Sequence, residues 1–360
     1  MRKSLLASTV AVGLTLGALF AAPAYAAETN LKGAGSSFAN KFITSCAVKN
    51  TDYSVSYNPA GSGTGRSAFG NGSVAFGASD AASSITLSGN RTGGAYTYVP
   101  VVGGPIAMLY NVPGVATSAL KLDATVIAKI FAGKITKWND AGIKALQTTA
   151  VAAKLPAKSI RVVYRASNSG TSENFTNYLR QNSPTVWTRP KNGTIASGNP
   201  AGRMPGGSIG AANSQALVTS VKSMAYTIGY ADLSDTVDSS GKAKVSVAKL
   251  KNAAGQYLAP TSATSATFLQ NFFSRKYFNA TSGAVTIDFT KVVSNGYNMS
   301  LITYAIADKN ASSATAGHVQ AFITYLLNTC GPNFAASLGY APIAGELKTK
   351  ALALAAAIKP

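Results

Sequence analysis

Acidic residues and histidine are scarce in this 360-residue chain: twelve Asp and Glu stand against 32 Lys and Arg, and His318 is the one histidine. That supply is thin for a metal site, which draws on Cys, His, Asp and Glu, and for a serine nucleophile activated by a histidine–carboxylate pair. A hydrolase needs one or the other, so neither catalysis nor a cofactor or metal is expected. His318, just ahead of Val319 at the start of a helical pattern, is expected at the surface. Cysteine is scarce too. Cys46 and Cys330 lie on the apolar stripes Phe38, Phe42, Ile43, Cys46 and Val319, Phe322, Ile323, Leu326, Cys330, both at helical spacing. In an exported chain two cysteines read as a disulfide rather than a metal site, with two separate buried thiols as the alternative. Beyond the N-terminus, no run is long and apolar enough to cross a bilayer.

What is present begins with an export signal. Arg2 and Lys3 precede an apolar run from Leu5 to Phe20 that ends at Ala24-Tyr25-Ala26. Cleavage is expected after Ala26, giving a signal peptide at 1–26. No cysteine stands just after the cleavage point, so no lipid anchor is expected and the mature chain should be periplasmic or secreted. The remaining 334 residues exceed one usual compact domain, so two are expected. Loss of Arg2 and Lys3 takes the net charge from +20 to +18. Such a field attracts anions without naming one, and a solubilising coat of lysines explains it equally well. No nucleic-acid motif accompanies the charge, so nucleic acid is not an expected partner.

Short β-rich runs alternate with amphipathic helices, the pattern of an α/β fold with parallel strands. Tyr53, Val55 and Tyr57 alternate as a strand leading into Gly61-Ser62-Gly63-Thr64-Gly65. A helix through Val126, Ile127, Ile130 and Phe131 can be capped by Asp123 and ended by Gly133. Ile160 to Tyr164 reads as a buried strand. Phe175, Tyr178 and Leu179 then mark a helix with Ser169 to Thr171 at its N-terminus. Lys191 to Gly210 reads as a long loop.

Four segments put glycines and small hydroxyl residues where a helix is expected to begin: Gly33 to Phe38, Gly61 to Gly65, Gly77 to Asp80, and Arg165 to Thr171. Helix N-termini offer unpaired N–H groups and partial positive charge, and glycine lets an anion approach the backbone. Any one such loop is an ordinary turn in most chains. Ser62 alone reads as a turn residue, Asp80 as a helix cap, and Arg165 as a surface charge after a strand.

Together these segments carry a resemblance. Gly33-Ala34-Gly35-Ser36-Ser37-Phe38, Gly61-Ser62-Gly63-Thr64-Gly65, Phe76-Gly77-Ala78-Ser79-Asp80, Ile130-Phe131-Ala132-Gly133-Lys134-Ile135 with Trp138-Asn139-Asp140, Ser169-Gly170-Thr171-Ser172 and Ile228-Gly229-Tyr230 occur in this order. In order and spacing the chain resembles the phosphate-binding proteins of bacterial phosphate ABC transporters, from Gly33 to about Tyr340. The resemblance implies a two-lobed periplasmic-binding-protein clamp of type II. Each lobe would be a mixed sheet flanked by helices, the lobes joined by two crossover strands near Gly104 and Ser300. Lobe I would comprise 27–104 and 300–360, and lobe II 105–299. Both cysteines then fall in one lobe, and a Cys46–Cys330 disulfide is expected.

The resemblance also implies function: capture of inorganic phosphate and its delivery, by a monomer, to a membrane permease. Phosphate would be held by Ser37, the backbone N–H of Phe38, Ser62, Asp80, Arg165, Ser169, Gly170 and Thr171. Arg165 would supply a forked charged contact and Asp80 an acceptor. Two positions depart from the family. Ser167 stands where an aspartate usually braces the arginine, and Ala75 where aspartate often precedes Phe76. Arg66, in the lobe I loop, is expected as an ordinary exposed helix residue. The competing reading is a secreted protein of the same fold whose basic surface holds anionic polymers or host surfaces.

Overall fold

The computed structural model describes residues 30–50, 53–189, 204–238, 242–309 and 314–358. The expected signal peptide and most of the expected loop at 191–210 lie outside the described residues. The end of that loop is a strand instead.

Alternation of strand and helix begins at once, with β1 (Asn30–Gly35), α1 (Asn40–Lys49), β2 (Ser54–Asn58), α2 (Ser62–Gly70) and β3 (Phe76–Ser79). Both β2 and β3 pair with β1 in parallel, an arrangement that needs crossovers, which α1 and α2 supply. Residue 65 must be small for α2 to lie on this sheet: a Cβ on Gly65 would come within 2.4 Å of Gly35 Cα and 2.7 Å of the Ala34 carbonyl. The following strand, β4 (Tyr96–Asn111), is sixteen residues long and almost wholly buried.

The middle of the chain continues through β5 (Lys121–Leu122), α3 (Ala124–Phe131), α4 (Ala141–Lys144), α5 (Thr149–Ala152), β6 (Arg161–Arg165), α6 (Gly170–Asn182), β7 (Ile209–Ala211), α7 (Ser214–Ser223) and β8 (Thr227–Asp232). Asp123 caps α3 by accepting the Val126 N–H at 2.8 Å, and the chain leaves that helix through Gly133 at φ 74°. Then come β9 (Ser246–Val247), β10 (Lys249–Lys251), β11 (Tyr257–Leu258), α8 (Ser262–Phe272), β12 (Ser300–Asp308), α9 (Ala314–Tyr325), α10 (Gly331–Phe334), β13 (Ala341–Pro342) and α11 (Gly345–Ala356).

The main sheet runs β2-β1-β3-β12-β4-β8-β6-β7, with β13 and β9 also on β4, while β11-β10-β5 form a separate small sheet. Partners change along β4. Residues 96–105 pair with β12, and residues 106–111 pair with β8. The protein is a two-lobed α/β clamp of mixed strands, one lobe around β1, β3 and β12, the other around β8, β6 and β7.

A large core fills the first lobe and the α3–α6 side of the second, where the Phe175 and Tyr230 rings stack at 4.3 Å. A smaller one lies under α7, with Leu109, Val163, Leu217 and Val221. Each fully buried side chain of this size stabilises by about 1.5–3 kcal/mol. Cys46 on α1 is bonded to Cys330, with Cα atoms 5.8 Å apart. The stripe that ends at Cys330 is helical throughout, an α-helix to Tyr325 that widens into a π turn over Leu326–Cys330. His318 is half-buried rather than a surface residue, its ring 5.2 Å from that of Tyr53.

Candidate functional site

Parallel strands end together, and the loops that leave their carboxyl ends meet in one place. From β1 comes Ser36 to Phe38, from β3 Asp80, from β6 Arg165 to Thr171, and from β7 the Asn213-Ser214 start of α7. All of Ser37, Phe38, Ser62, Asp80, Arg165, Ser169 and Thr171 are buried. The eight expected ligand residues therefore lie on elements that converge.

Arg165 is 2 % exposed, yet no carboxylate bonds to it among the described residues. Its Nη1 donates to Ser37 Oγ at 3.0 Å and to Ser214 Oγ at 3.4 Å, and Nη2 donates to Ser167 Oγ at 3.2 Å. The buried Nε–H has no acceptor among the described residues. Burial lowers the Arg165 pKa, while the nearby Tyr230, Asp80, Asp232 and Asp235 act to raise it. A guanidinium stays charged in proteins, so this is a buried cation held only by neutral oxygens.

Asp80 faces it electrostatically from the other lobe. Its Oδ1 accepts Ser36 Oγ at 2.5 Å and Thr303 Oγ1 at 2.7 Å. Oδ2 has only the longer contacts, Ser62 Oγ at 3.3 Å and Thr171 Oγ1 at 3.4 Å. Oδ2 is thus the oxygen with acceptor capacity to spare. Burial pushes the Asp80 carboxyl above its ordinary range, and the Ser36 and Thr303 hydroxyls, the Arg165 charge and the Ser62 hydroxyl pull it partly back.

Backbone donors complete the set. Ser36 N–H is taken by the Ala78 carbonyl and Ala39 N–H by Ser36 Oγ, which leaves the Ser37 and Phe38 amides between them. Ser169 caps α6 by accepting Ser172 N–H at 3.3 Å, and the first amides of that helix have no intrahelical acceptor. Tyr230 fixes both pieces: its Oη accepts Arg165 N–H at 3.3 Å and lies 2.6 Å from Ser172 Oγ. The lobes touch here, with Gly63 N–H on the Asn168 carbonyl at 3.2 Å and Asn174 Nδ2 on the Asp80 carbonyl at 2.6 Å.

Some expectations change. Asp80 caps no helix, because β3 ends at Ser79 and the chain runs on without a helical turn until Gly89–Arg91. Ser79 Oγ instead donates to the Ala81 carbonyl at 2.6 Å, holding the chain open at that point. Arg66 is not an exposed helix residue. It is 9 % exposed and its Nη1 donates to Ser79 Oγ at 2.8 Å, so it supports the strand that carries Asp80. Ser36, Thr303, Ser214 and Tyr230 were not singled out as site residues. Ser36 and Tyr230 stood inside quoted motifs, and Asn213-Ser214 has the cap-plus-hydroxyl signature of a helix start, with Asn213 Oδ1 on Ala216 N–H. Thr303 had no signal. It is aimed by a register slip in the β12–β4 pairing between Thr303 and Tyr304.

A family model described as the PBP superfamily domain matches residues 21–329. Among curated relatives, the phosphate-binding protein PstS of Haemophilus influenzae is 28% identical over 338 residues, 93% of each chain. Phosphate-binding protein PstS 3 of Mycobacterium leprae is 40% identical over 164 residues, 45% of this chain and 42% of that one. PstS of Methanocaldococcus jannaschii is 32% identical over 226 residues, 62% of this chain and 56% of its own. In these latter matches the chain spans about half the length of the curated relative. Of solved structures, a high-affinity periplasmic phosphate-binding protein bound with phosphate superposes with TM-score 0.69 at 21% identity, covering 90% of this chain and 93% of that one. A phosphate-binding protein from Stenotrophomonas maltophilia gives 0.67 at 24%, with the same coverage. These likenesses support the two-lobed fold, and with a matched domain over most of its length the chain belongs to the PBP superfamily and resembles its PstS members.

Proposed function

We propose that this protein binds inorganic phosphate between its lobes and delivers it to the permease of a phosphate ABC transporter, with no covalent chemistry. The observation that carries the reading is Arg165, a buried guanidinium with neutral partners whose Nε–H has no acceptor among the described residues. A bound oxyanion supplies the charge and the acceptor that this group lacks. Ser37, Phe38, Gly170 and Thr171 offer amides or hydroxyls, Ser62 and Ser169 hydroxyls, and Asp80 Oδ2 an acceptor for a phosphate proton. The relatives' printed names support phosphate as the anion.

Delivery rests on family membership. Lobe I is 27–104 with 300–360 and lobe II is 105–299, a division supported by the change of partners along β4 between Pro105 and Ile106. After loss of the signal peptide the protein acts in the periplasm or outside the cell. No helix among the described residues is long and apolar enough to span a membrane.

Calorimetric titration of the stripped mature protein tests the reading. One phosphate should bind tightly per chain, and Arg165→Met should weaken it by at least about a hundredfold, the loss of a charge-assisted hydrogen-bonded contact worth about 3 kcal/mol. Binding unaffected by Arg165→Met would overturn the site.

A further inference from the structure

We infer that Asp232 and Asp235 share one proton, and that this acid–carboxylate pair is a positioning element that holds the Phe38 and Ser214 walls of the anion site together. Asp232 ends β8 at 0 % exposure, and Asp235 follows in the short helical turn Leu233–Thr236. Oδ1 of Asp232 accepts Ser234 Oγ at 2.7 Å and Asp235 N–H at 3.0 Å, and Oδ1 of Asp235 accepts Gln215 Nε2 at 3.1 Å. The second oxygen of each, Oδ2, is buried without a donor. Both carboxyls belong to one turn, in which the Asp235 N–H bonds Asp232 Oδ1, and neither Oδ2 meets a donor from any other group among the described residues. An ionised carboxylate only accepts, so two carboxyl groups can bond only when one of them is protonated. A single proton between them also satisfies the buried Oδ2 atoms, each of which would otherwise be costly.

The proton belongs on Asp232. Burial, then the Asp235 charge, push Asp232 well above its ordinary range, whereas Asp235 is raised by burial but drawn back by its bonds to Asp232 and Gln215 and by Lys244 and Lys41. The charged or titratable groups facing the pair are Arg165 on β6, Lys41 on α1, Lys244 ahead of β9, and Tyr340 after α10. None of them bonds directly to either Oδ2.

From this pair two paths reach the site. Ser234 Oγ lies 2.8 Å from Tyr340 Oη, which donates to the Phe38 carbonyl at 2.7 Å. Gln215 adjoins Ser214, whose Oγ lies 3.2 Å from Ser37 Oγ and accepts Arg165 Nη1. Phe38 and Tyr340 belong to the first lobe, Asp232 and Ser214 to the second. With its proton the pair bears one negative charge and holds Ser234, whose hydroxyl meets Tyr340 of the first lobe. Without it, two charges repel each other and the arriving anion, and the bond between them is gone.

Because this inference rests on phosphate binding in the cleft, the experiment separates the two. Phosphate affinity is measured from about pH 6 to about pH 9 for wild type and Asp232→Asn, whose amide keeps a donor toward Asp235 without a titrating proton. Phosphate's own ionisation is common to both proteins. Wild-type affinity should fall relative to the variant as pH rises, by up to about tenfold per pH unit, the limit for one linked proton. Parallel profiles would overturn the inference. Infrared spectroscopy gives a second readout that needs no ligand: a protonated-carboxyl band should persist at neutral pH in the wild type and be lost in Asp232→Asn, and its absence from the wild type or its survival in the variant would overturn the shared proton. Failure to bind phosphate at every pH would instead sink the proposed function, with the infrared band still deciding the pair.

Discussion

Ser167 Oγ accepts a hydrogen bond from Arg165 Nη2 at 3.2 Å and donates its own proton to the Ala212 carbonyl at 2.9 Å. The serine therefore orients the guanidinium as an aspartate would, while contributing no charge. More of the Arg165 positive field is therefore left for an incoming anion than an aspartate at 167 would leave, and that field is partly screened by salt. Phosphate affinity should decline with ionic strength in the wild type and decline less steeply in Ser167→Asp. Calorimetry across a salt series checks this, and identical slopes would show that Ser167 has no electrostatic role.

Asp80 should make the site choose phosphate over sulfate. Near neutral pH phosphate retains a proton to donate to Oδ2, whereas sulfate has none and would meet a carboxylate lone pair. Leaving buried polar groups mismatched in this way can discriminate by about 10⁴ to 10⁵. In Asp80→Asn the amide can turn an N–H toward the ligand, so sulfate binding should strengthen relative to phosphate. Titration of both anions into both proteins is decisive, and full discrimination by the variant would show that Asp80 does not select.

The same carboxyl has a pH signature in the ligand-free protein. Its folded pKa lies above the ordinary 3.8, so the folded state binds the proton more tightly than the unfolded state does. Stability attributable to Asp80 is then fully present below that ordinary value and is lost as pH rises through the folded value. Asp80→Asn should remove this decline. Thermal melts of both proteins from acid to neutral pH compare the slopes, and the wild type should show the steeper fall.

Gly170 lies at the tightest point of the seam. A Cβ there would come within 2.6 Å of Ser62 Oγ, 2.8 Å of Asp80 Cβ and 3.0 Å of Asp80 N, all on the opposing lobe. Gly170→Ala should wedge the lobes apart and reduce phosphate affinity by at least about tenfold, a cost of about 1–3 kcal/mol for overpacking. Small-angle scattering with saturating phosphate should report a more open form.

Local chemistry was the legible part of this fold. Asp123, Gly133 and Ser169 each act through atoms a few residues away, so cap and stop could be read directly from neighbours in the chain. The long-range partners were hidden. Thr303 sits in a buried strand whose sequence carries no phase to say which residue points at Asp80. Arg66 was misread because α2 is rich in glycine and serine, and nothing local shows that one flank of it is covered by the Ser79–Ala81 turn. Gly77 to Asp80 looked like a helix start because a parallel strand ending in Ser-Asp usually feeds one. Here the chain instead lies back over α2, where Ser88 N–H meets the Gly70 carbonyl.

The bond between Cys46 and Cys330, 284 residues apart in sequence, closes a covalent ring that takes in every β-strand from β2 to β12. A single backbone cut anywhere inside that ring leaves one molecule rather than two. An external protease that nicked the second lobe would linearise the ring without releasing a fragment, and the pieces would separate only under reducing conditions. The crosslink thus separates chain cleavage from loss of the binding unit, a form of durability independent of folding free energy.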